Sequence, residues 1–323
     1  MVDELAPLHV LVTCTKGKTA APASGLQLAQ VAESTPEARA EQWIERLVQS
    51  LPGTVALRDL YAGDHWQVAL SLLNGSTASG RGVTLWVCSA GYGLLPLDCA
   101  VAPYSATFSS GHRDSVYRAG DRLSRAETFR RWWSALAGWE GPREGAPRTV
   151  RDLASRAPGA AIVVVASEPY LRACAGDLVA AAGVLDRPSA LSVVSAGARV
   201  RDLERHLLRF GKELRARVGG GDMSLNPRVA RDLLRHAEEP TVEEFSRLLD
   251  EWRRDATRPA ALCRPTQTDA EVLAFVHAEL DRDAGATWSA LLRKLRDQKG
   301  LACEQKRFRR VYGVARHARL AES

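Results

Sequence analysis

No run of apolar residues in this 323-residue chain approaches the ~20 that a membrane-spanning helix requires. The N-terminus, MVDELAPLHV, has neither the basic flank nor the apolar core of a signal peptide. A cytoplasmic protein with no membrane partner is therefore expected. The six cysteines (Cys14, Cys88, Cys99, Cys174, Cys263, Cys303) are scattered and form no C-x-x-C pair. That spacing excludes a zinc ribbon and argues against a disulfide framework. The seven histidines supply no H-E-x-x-H and no H-x-E beside a cysteine pair, so no metal and no deaminase-type zinc centre are expected. Neither a G-x-G-x-x-G nor a P-loop pattern occurs, and no cofactor is implied. Internal repeats and low-complexity tracts are also absent.

The chain is 46% hydrophobic and 25% charged, as in ordinary globular proteins, and it is long enough for one large domain and a smaller one. Its net charge is +6, unevenly distributed. Residues 287–320 hold ten Lys/Arg against Asp297 and Glu304, a net +8, which leaves −2 on the remainder. A basic segment on a mildly acidic body suits a polyanion such as double-stranded DNA. A solvated helical face is the simpler alternative.

Residues 9–14 (HVLVTC) and 83–88 (VTLWVC) have the short apolar pattern of buried strands. Helices are expected over 36–50, 64–73 and 124–139. A β-α-β unit follows, with strands at 160–166 and 190–195 around a helix over 170–182. These elements predict an α/β (α+β) fold, a mixed sheet with helices packed on it. Residues 200–218 read as one amphipathic helix, with Val200, Leu203, Leu207, Phe210 and Leu214 on one face and Arg201, Arg205, Arg209 and Lys212 on the other. Either an anionic partner or solvent explains that basic stripe. Helices over 227–237 and 241–255 close the large domain, 1–257. A proline-bearing linker is expected at 258–265. Residues 266–323 then form a basic helical domain of three or four short helices, helix-turn-helix-like or winged.

The stretch 89–104, SAGYGLLPLDCAVAPY, follows an expected strand, where open α/β sheets place ligands. It offers Ser89, Tyr92, Asp98 and Tyr104 as hydrogen-bonding or stacking groups, although a braced turn and core tyrosines explain the same residues. Cys14 ends an apolar strand with no evident base and reads as a buried structural thiol. Asn226, Pro227 and Arg228 read as a helix start with an N-cap and a proline at the first position, or as a DNA contact. Trp132 and Trp133 point two ways from one helix, so at least one belongs to the core.

The order S-x-x-Y-G-x-L-x-P-L-D followed by P-Y resembles the signature of the YaaA family, a group linked to oxidative stress and DNA binding. Thr13 to Thr19, TCTKGKT, resembles the place where that family carries a lysine after its first strand, so Lys16 or Lys18 is the counterpart. Ala166, Ser167 and Tyr170 resemble a family A-S-x-x-Y, with Glu168 one place early and Pro169 at the usual acid position. In GGGDMSLNPRVARDLL, residues 219–234, glycines and Asp222 replace the family's basic turn. The resemblance spans about residues 8–255. Together with Leu60, Tyr61, Ala62 and Gly63, it points to a branch whose members accompany DNA modification and anti-phage systems.

The resemblance implies a DNA glycosylase that excises a modified base from phage DNA, such as α-glucosyl-hydroxymethylcytosine, and leaves an abasic site. Such an enzyme flips the base into a pocket at a cost of a few kcal/mol. A carboxylate then stabilises the oxocarbenium-like transition state. Asp98 is the first expectation for that carboxylate and Glu168 the second, with Lys16 as phosphate ligand or nucleophile at C1′. Ser89, Tyr92 and Tyr104 would form the base pocket. Lys18, Arg201, Arg205, Arg209, Asn226, Arg228, Lys306, Arg307, Arg309 and Arg310 would contact DNA. A non-enzymatic DNA-binding stress protein and a nucleobase-transfer enzyme of a DNA-modification pathway are the alternatives.

Overall fold

The computed structural model describes residues 5–33, 35–53, 55–75, 77–255, 265 and 267–321. These contain twelve helices and a six-stranded mixed sheet, arranged as two compact units, Met1–Arg258 and Pro259–Ser323. None of the helices is long and apolar enough to cross a membrane.

In the first unit the strands are β1 (Leu8–Thr13), β2 (Val55–Ala56), β3 (Val83–Ser89), β4 (Gly93–Pro96), β5 (Ala100–Val101), β6 (Ala161–Val165), β7 (Leu191–Val194) and β8 (Leu207–Leu208). The sheet order is β4-β3-β1-β6-β7-β8, while β2 and β5 form a separate antiparallel ribbon. Only β4 runs antiparallel within the sheet. Counting its parallel strands in chain order gives 2-1-3-4-5, a doubly wound arrangement whose switch point lies between the first and third, here β1 and β6. β1, β6 and β7 are buried along their whole length. Parallel strands covered on both faces favour such mainly apolar sequences, here interrupted only by buried His9 and Thr13 in β1 and Ser192 in β7.

Helices α1 (Pro36–Gln49), α2 (Leu57–Leu60), α3 (Asp64–Ser71), α4 (Arg125–Gly138), α5 (Val150–Arg156) and α6 (Glu168–Ala182) fall between strands, and α7 (Arg215–Val218), α8 (Leu225–His236) and α9 (Val242–Asp255) follow β8. The hydroxyls of Thr35, Ser124 and Thr149 cap α1, α4 and α5, each satisfying a backbone donor that the first turn leaves free. Trp132 and Trp133 are both buried; their indoles donate to Ala90 O (2.8 Å) and Asp177 Oδ2 (3.2 Å).

The continuous helix expected over 200–218 does not form. The segment holds a 3-10 turn at Arg201–Leu203, β8, a second 3-10 turn at Lys212–Leu214, and the four-residue α7. Pairing of Leu207 and Leu208 with Val193 and Val194 of β7 supplies the hydrogen bonds that a helix would have made internally. The apolar periodicity is real but serves a sheet edge, a tertiary override of local pattern. Arg201, Arg205 and Arg209 consequently form no stripe, and Arg209 is paired with Glu204 at 2.7 Å.

The stretch 89–104 is likewise not an open ligand loop. It turns at Gly91 and Gly93 and returns as β4, with Trp86 opposite Pro96 and Ser89 opposite Gly93. A Cβ on Gly91 would lie 2.4 Å from the Tyr104 ring, so only glycine allows this approach. The Gly91 carbonyl accepts the Trp43 indole N–H at 2.7 Å.

The second unit contains α10 (Asp269–Arg282), α11 (Trp288–Asp297) and α12 (Gln305–Ala321). A capping box joins Thr268 and Glu271 at its start. Val272, Val276, Leu280, Leu295, Phe308 and Val311 form a core of its own. Glu279, almost wholly buried, is paired with both Lys294 and Arg282. Of the linker expected at 258–265, only Pro265 lies within the described residues.

Candidate functional site

A cavity of about 510 Å³ opens at the carboxyl ends of β1 and β6, the switch point of the sheet. The chain leaving β1 supplies Cys14, Thr15, Lys16, Gly17 and Lys18. The Thr15 hydroxyl donates to Gly17 O (2.9 Å) and Ala62 O (3.1 Å), and Ala62 N donates back to Gly17 O (3.0 Å). Thr19 N bonds Leu60 O at 2.9 Å. These bonds fasten the lysine loop to residues 60–63.

Gly63, with φ of 99°, turns the chain into α3. Together with Asp64 and His65 it brings the start of α3 to the cavity. Ser167 does the same for α6, and Asp222, Met223 and Asn226 do so for α8. No side chain caps the first turn of any of these three helices. Their positive dipole ends favour an anion, although Leu225 N at the α8 start bonds Asp222 O of the preceding 3-10 turn and the first turn of α6 contains Pro169, which has no N–H. Lys16, exposed, and Lys18, half-buried, add positive charge to the same wall.

Lys18 sits most unusually. Its ammonium lies 4.5 Å from the Tyr104 ring centroid and 5.7 Å from that of Tyr61. Its one hydrogen bond is a long one to Thr15 O, 3.4 Å. Burial lowers its pKa, against the opposing pull of Cys14 and Asp114. Among the described residues no carboxylate pairs with it. Burial likewise lowers the pKa of His65, whose Nδ1 faces Met223 O at 3.1 Å.

The cavity's carboxylates are all engaged. Asp64, held below the usual range by the Ser224 hydroxyl and by Arg228, pairs with Arg228 at 2.8 Å. Asp222, kept low chiefly by Lys212, is bound by Lys212 (2.7 Å) and Arg215 (3.0 Å). Tyr170 brings its ring to the cavity, and its hydroxyl meets the Cys14 thiol at 3.0 Å. Burial raises the Tyr170 pKa, so the phenol keeps its proton.

Several expected site residues belong elsewhere. Asp98 lies beyond β4, where Leu97 N bonds Leu85 O, toward the start of β3 and away from the cavity. Its side chain is 70% exposed and salt-bridged to Arg143. Ser89, Tyr92 and Tyr104 are fully buried, with no face free for a base. The Tyr104 hydroxyl lies between Ser89 Oγ (2.7 Å) and Tyr61 Oη (2.9 Å), while Tyr92 donates to Ala102 O (3.0 Å). These residues underpin the cavity instead of lining it. Glu168 is outside the lining; burial pushes its pKa up, but hydrogen bonds from Arg172 and the Arg199 N–H outweigh this and hold it low. Asn226 neither caps α8, which begins at Leu225, nor faces outward: it bonds Ala196 N (2.9 Å) and Ala166 O (3.2 Å), tying together the ends of β6 and β7. Arg228 is occupied by Asp64 and Ser224. Cys14 is half-buried and borders the cavity, contrary to its reading as a core thiol.

The sequence motifs had marked Tyr170 and Gly63 without a role. Asp64 and His65 carried one legible signal, a glycine directly before a helix start. A second cavity of about 410 Å³, between α4, α5 and α6, contains Asp177, whose carboxylate is satisfied by Val150 N, Arg151 N and Trp133. Among the described residues no group of three or more His, Cys, Asp or Glu is placed to hold a metal.

In the second unit, α12 presents Lys306, Arg309 and Arg316 to solvent. Arg307 and Arg310 are both paired with Asp269, at 2.5 and 2.6 Å, which reduces the free charge of the cluster. Arg309 stands 5.6 Å from the Trp288 ring centroid. Comparison of the chain with protein-family models, curated proteins and solved structures finds no match.

Proposed function

We propose that the chain is a DNA-directed enzyme that cleaves the N-glycosidic bond of a modified base, the activity its YaaA-like motifs imply. One observation carries this: three uncapped helix starts and two lysines converge on a single cavity at the switch point of the sheet. Phosphate is the natural occupant of such a cradle. The volume lies within the range of small-ligand pockets and suits a flipped nucleotide.

In this scheme Lys16 and the helix starts hold the phosphates flanking the target. Tyr170 bounds the pocket. Asp64, kept ionised, stabilises positive charge on the sugar as the glycosidic bond opens, the role first expected of Asp98. Water then adds at C1′ to leave an abasic site. Lys306, Arg309 and Arg316 of the second unit, a helical module of helix-turn-helix type in this reading, neutralise backbone phosphates.

The test is incubation with unmodified DNA and with phage DNA carrying glucosylated hydroxymethylcytosine. Alkaline cleavage scores abasic sites, and mass spectrometry identifies the released base. Release from the modified DNA alone is the expected result. One observation favours a non-enzymatic DNA-binding stress protein: Asp64, Asp222 and Glu168 are all held by basic side chains. Salt-sensitive binding to both DNAs with no base released would establish that alternative. Base exchange without abasic sites would indicate nucleobase transfer.

A further inference from the structure

Lys16 and Lys18 stand two residues apart, yet their environments differ, and the chain has only six lysines in all. Lys16 is exposed. Lys18, itself on the cavity wall, is anchored by a β-bridge to Tyr61, and its amine stands over the buried Tyr104 ring beneath the cavity. Lys212 and Lys294, by contrast, are committed to Asp222 and Glu279. Lys16, exposed on the cavity wall, is placed to meet a phosphate. The Tyr104 ring face attracts the ammonium, but burial outweighs the charges around it and no carboxylate among the described residues pairs with it, as suits a lysine that acts as a neutral amine.

We propose that Lys18 is a carbonyl-capturing nucleophile whose substrate is the aldehyde of a phosphorylated sugar, in particular the ring-opened deoxyribose of an abasic site. The choice of abasic DNA rests on the glycosylase reading. The Lys18 amine adds its lone pair to C1′, and the aldehyde oxygen takes up a proton to give a carbinolamine. The C1′–O bond then breaks, the oxygen leaves as water with both former amine hydrogens accounted for, and a neutral C=N bond remains. Hydrolysis reverses the sequence. Burial lowers the pKa of Lys18 and so enlarges its reactive unprotonated fraction. Tyr170, which burial keeps protonated and which lines the same cavity, would donate a proton to the departing hydroxyl. The cradle of helix starts would hold the sugar's phosphate during these steps.

The experiment incubates the full chain with sodium cyanoborohydride and one of two probes. These are a duplex oligonucleotide carrying a preformed abasic site, and 2-deoxyribose 5-phosphate. Reduction of the imine leaves a stable secondary amine, which peptide mass mapping locates. The expected result is an adduct on Lys18, lost in Lys18→Arg and kept in Lys16→Arg. An adduct on Lys18 with the sugar phosphate alone would uphold the lysine's role and reject DNA as its source. Base release in the glycosylase assay with no Lys18 adduct from either probe would overturn this proposal and leave the glycosylase intact. Modification only at Lys16 or at surface lysines would also overturn it. Because the adduct is mapped on the unaltered protein, the result does not depend on the folding of Lys18→Arg.

Discussion

Asp121→Ala should be among the most damaging single changes in the first unit, although it touches neither the sheet nor the cavity. Asp121 and Arg39 form an ion pair whose side chains are 1% and 0% exposed, with contacts of 2.8 and 3.0 Å. Arg39 also donates to Val116 O at 3.0 Å, and Asp121 accepts from Arg118 N at 2.8 Å. The Arg118 guanidinium in turn bonds Leu28 O, Val31 O and Glu33 O. The pair thus pins the segment bearing Ser105, Thr107 and His112 of the cavity wall against α1. Deleting one partner strands a charge that water cannot reach, at a cost of about 3–5 kcal/mol. At about 2–4 °C per kcal/mol for a unit of this size, the melting temperature should fall by about 6–20 °C. Seven of the eight tryptophans lie in this unit, so tryptophan fluorescence during urea or thermal unfolding reports on it. The double variant Arg39→Leu/Asp121→Leu, which leaves no buried charge, should recover part of the loss. A cost below about 1 kcal/mol, the scale of exposed pairs, or a double variant worse than the single, would refute the reasoning.

Gly91→Ala places a methyl group within 2.4 Å of the Tyr104 ring and should cost about 1–3 kcal/mol in urea denaturation, through overpacking. Lys18→Met should raise the melting temperature near neutral pH by about 2 °C or more, since it removes a half-buried charge that no carboxylate among the described residues pairs. The sign follows from the lowered pKa. The folded state disfavours protonated Lys18, so the wild type is penalised below its folded pKa and the penalty fades as pH rises toward the unfolded value. The gap between variant and wild type should therefore close in alkaline buffer, and a constant gap would count against burial as its cause. Lys306→Ala and Arg309→Ala should each lower the slope of log K against log salt by about 0.9 for duplex DNA. Arg307→Ala, whose charge is shared with Asp269, should change it less.

The strands at 8–13, 83–89, 161–165 and 191–194 were legible because burial on both faces leaves short, mainly apolar runs. Helices α1 and α4 match those expected over 36–50 and 124–139 to within one residue at each end. The error at 200–218 has a definite source: the spacing of Leu203, Leu207, Phe210 and Leu214 matches a helix face, whereas the pairing that decides the outcome comes from β7, distant in sequence. The motif around 89–104 drew attention to the right neighbourhood and the wrong atoms. Tyr104 and Ser89 are polar residues that satisfy each other and Tyr61, and nothing in a linear sequence distinguishes a hydroxyl closed into such a chain from one facing a ligand. The cavity itself gathers Lys18, Asp64, Tyr170 and Asn226 from four segments. Only the 2-1-3-4-5 strand order brings these together, and pattern alone does not reveal that order.

Single-turnover base release from DNA containing glucosylated hydroxymethylcytosine, measured for the wild type, Asp64→Asn and Asp98→Asn, tests the central claim most directly. The account requires release by the wild type, a loss of about 10²-fold or more in Asp64→Asn, and near wild-type rates in Asp98→Asn, whose carboxylate lies away from the cavity. An inactive Asp98→Asn beside an active Asp64→Asn, or a wild type that releases nothing, would contradict it.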